Sequence, residues 1–529
     1  MKRLDTINLP WGAQRFGTGT LDHSDKTSNR DEDVAGAHAS ACAPVLAQSF
    51  AYVRGNFWKF LGVSVAVLVP CFWHRMIVAG DLGSHLYNAW LAQLIERGQV
   101  RGMWLAWRWN NVLFDYWLDG LGRIFSLPVA EKIAVSAAVL IFFWGMFALV
   151  CAARRRAPWY LCPCIAMFTY GYTFHMGFMN FYISLGLAFF GMAIFWRGKR
   201  WDWLAPVVLA PFMILGHPLG FAWLVGGSAY VVIAERIPRR YQIFLLAAGG
   251  AALFAAHYYF WHHDVVEARV GPIYYFNGTD QLLLFGSRYA IPELALIVFI
   301  FVAVGADFFS RPWGQFRLED YAVPLQFYII VCLGVILLPD GIRFPNTPSA
   351  LALLTERLTS VSAALLCCLL GAMRPRKWHL AACGAIAVVF FGFLYQDTGK
   401  IDRMEAQIER LVRSLPPNQR VLGTIEAFPG SRILIQHMLD QACIGHCFSY
   451  GNYEPACAQF RVRTTPNNPY AMFSYERTSD MEDGTYEVQP GDLPAYQVYQ
   501  CSESGTDLCI RPLAAGEMND RLGVHLDDE

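Results

Sequence analysis

The stretch FWKFLGVSVAVLVPCFWHRMIV at residues 57–78 is almost wholly apolar, and AGDLGSHLYNAW follows it at residues 79–90. A helix that crosses a bilayer needs roughly 20 mostly apolar residues, so residues 57–79 predict a membrane span. Asp81 and His85 stand just beyond this span and four positions apart, which places them on one side of a helix. A carboxylate at the edge of a bilayer is costly unless it faces water, a partner or a substrate. Asp81 is therefore the first candidate for a functional residue.

The composition of the whole chain agrees with a membrane protein. Apolar residue types make up 55% of the 529 residues, and charged types make up only 16%. Soluble globular proteins carry about 25% charged residues, so several membrane spans are expected. Lysine plus arginine and aspartate plus glutamate number 42 each. Because these charges cancel, the protein has no positive net charge that would attract nucleic acid.

Further apolar stretches bring the number of predicted spans to about eleven. They are residues 57–79, 129–152, 158–175, 178–196, 202–216, 219–235, 241–261, 292–309, 321–339, 358–373 and 378–395. Residues 1–54 contain no such stretch and no clear helical period, and we interpret them as a disordered tail. The predicted fold is an all-α polytopic membrane domain over residues 55–395.

Arginine and lysine lie on alternate loops between these spans. The basic loops contain RRR at 154–156, RGKR at 197–200, RIPRR at 236–240, Arg311 with Arg317, and RPRK at 374–377. Such loops remain in the cytoplasm by the positive-inside rule. The amino terminus is then cytoplasmic, and the long loop at 80–128 and the tail at 396–529 lie outside.

The tail has the patterns of a small mixed α/β domain. Apolar residues recur at helical spacing from 401 to 415, and strand-like segments follow at 420–425, 496–499 and 508–510. Its cysteines suit an oxidising compartment. Cys501 and Cys509 flank a turn-rich segment and are the favoured disulfide. Cys443 and Cys447 could also form a disulfide or remain thiols, or they could bind zinc with His437 and His446.

The opening layout resembles that of the GT-C superfamily of integral-membrane glycosyltransferases, in an uncharacterised bacterial branch. The resemblance rests on GDLGSH at 80–85 with AWLAQLIERG at 89–98, on HMGFMNFY at 175–182, and on the order of one span, a large outer loop and a return span that ends in arginines. It implies a bacterial inner-membrane enzyme that transfers a sugar from a polyprenyl-phosphate carrier to a cell-envelope glycan, lipid or protein. It also implies that Asp81 is the catalytic base or a metal ligand.

Physical reasoning gives the other candidate residues their roles in such a reaction. A carboxylate near water can deprotonate an acceptor hydroxyl, which suits Asp81, with His85 as its helper and Asp115 as the second choice of base. Fixed cations would stabilise the lipid phosphate that leaves. The candidates on the outer side are Arg288, Arg343 and Arg357, and His175 and His217 could line the same cavity.

A divalent metal ion is the one cofactor considered. Its candidate ligands are Asp81 and the pair His262 and His263, which precedes Asp264. Leu82 stands where many members of the resembled family have a second acid, which argues against a metal-dependent reaction.

Two other classes of function fit the same composition. A lipid or polysaccharide transporter would need ionisable residues in the middle of its spans, and here the spans are almost free of them. A non-catalytic envelope assembly protein would use its exported tail to bind a partner. It would keep its function when Asp81 is replaced, whereas an enzyme would lose it.

Overall fold

The computed structural model describes residues 45–199, 201–263, 265–267, 275–310, 321–343, 351–425, 428–502 and 506–520. The helices are α1 (Val45–Gly55), α2 (Phe57–Leu68), α3 (Leu82–Glu96), α4 (Leu113–Gly122), α5 (Leu127–Arg154), α6 (Cys162–Thr169), α7 (Tyr172–His175), α8 (Met179–Arg197), α9 (Leu204–Gly216), α10 (Pro218–Arg236), α11 (Arg239–His263), α12 (Ala290–Phe309), α13 (Ala322–Leu337), α14 (Leu354–Leu370), α15 (Lys377–Arg413), α16 (Met438–Cys443), α17 (Glu454–Cys457) and α18 (Tyr475–Asp483). The strands are β1 (Met103–Leu105), β2 (Val265–Glu267), β3 (Gly341–Arg343), β4 (Arg420–Thr424), β5 (Phe448–Ser449), β6 (Val462–Thr464), β7 (Ala495–Gln500) and β8 (Leu508–Pro512).

Most of the predicted disordered tail lies outside these ranges. The last ten residues of the predicted tail, 45–54, are described and form most of α1. For these residues the prediction of disorder was wrong.

Six helices are long and apolar enough to cross a membrane: α5, α8, α10, α11, the segment Ser287–Phe309 that contains α12, and α15. Three shorter apolar helices are Phe57–Cys71, α9 and α13. Each of the predicted spans falls on helical structure, while the total of about eleven crossings stays a prediction.

Two predicted spans differ from the helices that form. The first was expected to reach residue 79, but α2 ends at Leu68 and a short 3₁₀ turn containing Pro70 follows it to Cys71. Proline lacks the amide hydrogen that would continue the helix. The third predicted span, 158–175, is divided into α6 and α7 because the backbone of Gly171 is extended.

The centre of the helical bundle is the pair α5 and α8. A side chain at Gly145 would collide with the backbone carbonyl of Gly186, so two glycines allow these helices to approach closely. Near this contact the rings of Phe142 and Tyr182 stack with their centroids 4.2 Å apart. Because the two backbones approach closely, the first turn of α8, which carries Asn180, has a fixed position beside the first long loop.

The last membrane helix continues into the tail without a break. Helix α15 has 37 residues, so the boundary that the sequence placed at residue 395 falls inside it. The tail then forms a sheet in the order β5, β4, β7, β8, in which only the β7–β8 pairing is antiparallel. The expected strands therefore form. Cys501–Cys509 and Cys443–Cys447 are both disulfides, and the second removes the thiols of the zinc alternative.

The tail packs on the first long loop instead of standing apart from the membrane domain. Strand β1 of the loop pairs with β6 of the tail, with Met103 opposite Thr464. Asn88 of α3 and Asn452 exchange two hydrogen bonds, at 3.2 and 2.9 Å. These contacts join residues more than 350 positions apart.

Candidate active site

A cavity of about 260 Å³ lies where the first long loop, α8, α14 and the tail meet. Its polar lining comprises Asp81, His85, Asn111, Asn180, Arg357, Gln436, His437, Tyr453, Cys457, Gln459, Tyr475, Thr478, Ser479 and Glu482. More than half of these residues belong to the tail. The tail is therefore one wall of the cavity.

Asp81 is placed at this cavity by the turn that contains HMG at 175–177. The amide of Gly80 donates to the carbonyl of His175 at 2.7 Å, and the amide of Asp81 donates to the carbonyl of Met176 at 3.1 Å. Gly177 has a φ of 80°, and a Cβ there would collide with the amide nitrogen of Asp81. Glycine is needed because it adopts this conformation without steric cost. The HMG segment at 175–177, which is part of the family resemblance, thus fixes the backbone position of Asp81.

The side chain of Asp81 is 27% exposed and precedes α3. Its nearest charged partner is His437, whose Nε2 lies 3.7 Å from the Oδ1 atom of Asp81. His85, one turn later, borders the same cavity, as the spacing of the two residues predicts.

His85 is buried and paired with Asp115. Its Nδ1 lies 2.9 Å from Oδ1 of Asp115 and 3.7 Å from Oε1 of Glu454. Burial alone lowers the pKa of His85, but the charges of Asp115, Glu454 and Asp81 outweigh it and raise the pKa to about 9. His85 is therefore a protonated, positioned group at neutral pH and not a free base.

Both carboxylate oxygens of Asp115 are engaged. Oδ1 faces His85, and Oδ2 accepts a hydrogen bond from Nδ2 of Asn180 at 3.0 Å. Burial would raise the pKa of Asp115, yet His85 and Asn180 together hold it below its usual value. Asp115 is not among the residues that line the cavity.

Glu454 brings the tail into this buried network. Ser84 donates to its Oε1 at 3.3 Å. Burial and the nearby carboxylate of Asp115 raise the pKa of Glu454 well above its usual value. The network of His85, Asp115 and Glu454 joins the loop to the tail directly behind the cavity.

Arg357 is the one of the three predicted phosphate-binding arginines that lines the cavity. Its guanidinium lies 4.1 Å from the ring centre of Phe178, and its Nη1 is 3.1 Å from Nε2 of His217. Its Nε has no hydrogen-bond partner among the described residues. His217 contacts Arg357 without lining the cavity itself.

The other predicted cavity residues lie elsewhere, which corrects the sequence-based grouping. Arg288 pairs with Asp397 of α15, with Nε 3.1 Å from Oδ2. Arg343 ends β3, opposite Val265 of β2. His175 is buried and its Nδ1 bonds to the carbonyl of Val78 at 2.8 Å, so it supports the segment before Asp81. The sequence predicted that all of these residues and Arg357 lie on the same side of the membrane. That prediction could not show which of them line the cavity.

The predicted metal ligands do not form a group. Nδ1 of His262 and of His263 bonds to a carbonyl of α11 itself, at 2.7 and 3.2 Å. Asp264 lies outside the described residues. Within the described part of the chain, the group whose donor atoms could hold a metal ion is His85, Asp115 and Glu454, with these atoms within 4.8 Å of one another. One nitrogen and two carboxylate oxygens suit a divalent ion, and Asn180 and Ser84 would orient the carboxylates.

Sequence reasoning missed the contribution of the tail to the site. His437 appeared only as an alternative zinc ligand, and Glu454 and Glu482 gave no signal. Burial and neighbouring acids raise the pKa of Glu482 to about 7. Asn180 lay within a quoted motif, but its partner Asp115 is 65 positions away.

Comparison with known proteins gave no family model, curated protein or solved structure that matches this chain.

Proposed function

We propose that the protein is an integral-membrane glycosyltransferase that moves a sugar from a polyprenyl-phosphate carrier to an acceptor outside the cytoplasm. The observation that carries this proposal is that Asp81 and Arg357 border one cavity beside a bundle of apolar helices. Transfer needs a carboxylate that accepts the proton of the acceptor hydroxyl and a cation that stabilises the departing phosphate. The helices would hold the polyprenyl chain in the bilayer.

In the proposed reaction the acceptor oxygen attacks the anomeric carbon of the sugar. The bond from that carbon to the carrier phosphate breaks, and the hydroxyl proton passes to Asp81. The carrier leaves as polyprenyl phosphate with an additional negative charge. Arg357 suits this charge because its Nε lacks a partner among the described residues and its guanidinium is fixed against Phe178.

His85 and Asp115 have supporting roles in this proposal. Their buried pair fixes the first turns of α3 and α4 against Asn180, so that Asp81 keeps its place at the cavity. A divalent ion would bind to His85, Asp115 and Glu454 only in place of the proton on Nδ1 of His85, and it would then supply positive charge behind the site. Asp115 remains the second choice of base.

We further propose that the membrane is the bacterial inner membrane, with the amino terminus in the cytoplasm and the tail outside. The basic loops support this orientation. Two disulfides in the tail also support it, because an oxidising compartment allows them to persist.

The test is sugar transfer by the purified full-length protein in detergent, with labelled polyprenyl-phosphate sugars as donors and an envelope extract from a deletion strain as acceptor. Detergent abolishes the two compartments that a transporter needs, so transfer in detergent supports an enzyme. We expect Arg357→Gln to lose most of the activity and Arg343→Gln, away from the cavity, to keep it. Absence of transfer from every donor by the wild-type protein would contradict the proposal.

A further inference from the structure

His437 is a tail residue that reaches the cavity beside Asp81. It lies directly before α16, and it is 6% exposed. The backbone at this point packs tightly on α3, because a Cβ at Gly83 would collide with the carbonyl of His437. The position of the imidazole is therefore set by the packing of the tail on the first loop.

The orientation of the ring is fixed on one edge. Nδ1 of His437 lies 3.1 Å from Oδ2 of Asp440, and the other oxygen of Asp440 accepts a hydrogen bond from Ser449. The ring of Tyr453 covers one side with its centroid 5.1 Å away. Nε2, on the opposite edge of the ring, therefore points away from Asp440. In functional histidines, a carboxylate bonded to one ring nitrogen orients the other nitrogen in the same way.

Nε2 of His437 has no hydrogen-bond partner among the described residues. The carboxylate oxygen Oδ1 of Asp81 is 3.7 Å from it, which exceeds the usual limit of about 3.2 Å for an N–H···O bond. His437 lines the cavity, so a water molecule or a ligand in the cavity could accept a hydrogen bond from this nitrogen. Although burial lowers the pKa of His437, Asp440, Glu482 and Asp81 raise it to about 10. The imidazole is then a cation at neutral pH.

The cavity therefore contains two fixed cations from different parts of the chain, Arg357 from α14 and His437 from the tail. A phosphate has several anionic oxygens, so it is a ligand that both cations would attract.

We infer that His437 is the second cation of a phosphate subsite and that the tail supplies it. The inference rests on the proposed function, because the phosphate is that of the polyprenyl carrier. His437 would contact the phosphate in the donor and in the released carrier, and Asp81 would remain free to take the acceptor proton. The tail would then complete the site instead of only covering it.

The test is binding of undecaprenyl phosphate to the purified full-length protein in detergent, with undecaprenol and inorganic phosphate as separate probes. We expect His437→Gln to weaken undecaprenyl phosphate about tenfold, as expected for the loss of one charge-assisted hydrogen bond. Undecaprenol should bind both proteins equally. The matched control is His446→Gln, a tail histidine whose Nε2 bonds to the carbonyl of Leu415 at 3.0 Å and which is not part of the cavity lining.

The outcomes separate this inference from the proposed function. Equal binding of undecaprenyl phosphate by the wild type and His437→Gln would overturn the inference alone. If the wild type does not bind undecaprenyl phosphate more tightly than undecaprenol, both the inference and the proposed function are overturned. If it binds inorganic phosphate tightly but does not bind undecaprenyl phosphate, the polyprenyl carrier is not the ligand.

A measurement on the wild type avoids any dependence on the folding of the variant. In wild-type protein labelled with ¹⁵N-histidine, saturating undecaprenyl phosphate should shift the Nε2–H signal of His437, and undecaprenol should not. An unchanged signal with the phosphate bound would also overturn the inference.

Discussion

Replacing Asp81 with Asn tests the assignment of the base. Asn has nearly the same size and can still donate and accept hydrogen bonds, but it cannot take a proton from the acceptor hydroxyl. Removal of a general base slows a reaction about 10²–10⁴-fold, which corresponds to about 3–5 kcal/mol of activation free energy. We expect a loss of the transfer rate in this range.

The same substitution should leave the free energy of unfolding almost unchanged. The Asp81 side chain is 27% exposed, makes no hydrogen bond that caps α3, and lies 3.7 Å from its nearest charged partner. Ion pairs with this much access to water contribute about 0.2–1 kcal/mol. Asp115→Asn is the contrasting variant, because it disrupts a buried pair that is hydrogen-bonded on both oxygens, at a cost of about 3–5 kcal/mol.

The assay is sugar transfer in membranes that contain equal amounts of the wild type, Asp81→Asn and Asp115→Asn, with thermal unfolding of each protein measured in parallel. Loss of transfer without loss of stability in Asp81→Asn supports the assignment. Near-normal transfer by Asp81→Asn together with no transfer by a folded Asp115→Asn would move the base to Asp115. Normal transfer by both would exclude the first loop from catalysis.

Three further results are expected. An enzyme reporter that is active only outside the cytoplasm, fused after Glu529, should be active, and activity of a cytoplasmic reporter instead would reverse the proposed orientation. Replacing Cys501 and Cys509 with Ser should lower the free energy of unfolding by about 2–3 kcal/mol, and an unchanged denaturation midpoint would show that the bond adds no stability. The pKa of His437 is about 10 in the folded protein and 6.5 without its partners, so its stabilising effect is complete below pH 6.5 and is lost as the pH rises through 10. The stability difference between the wild type and His437→Gln should therefore shrink over this range, and a constant difference would contradict the raised pKa.

The sequence alone determined the features that depend on neighbouring residues. Apolar runs predicted helices at every proposed span, and strand-like segments in the tail predicted strands β4, β7 and β8. Spacing by four residues placed Asp81 and His85 on one side of α3. These predictions succeed because hydrophobic periodicity is a local property. The prediction that the first helix reaches residue 79 was wrong, because α2 ends at Leu68, just before Pro70.

Only the tertiary structure decided which residues share the cavity. The sequence gives no reason to choose Arg357 over Arg288 or Arg343, since all three were assigned to the same side. The choice depends on how α14 packs against α8 and His217. Likewise, His437 and Glu454 reach the first loop because β6 pairs with β1 and α16 packs on Gly83. Such contacts join segments hundreds of residues apart, and the packing energy that selects them depends on complementary shapes that no local pattern of residue types encodes.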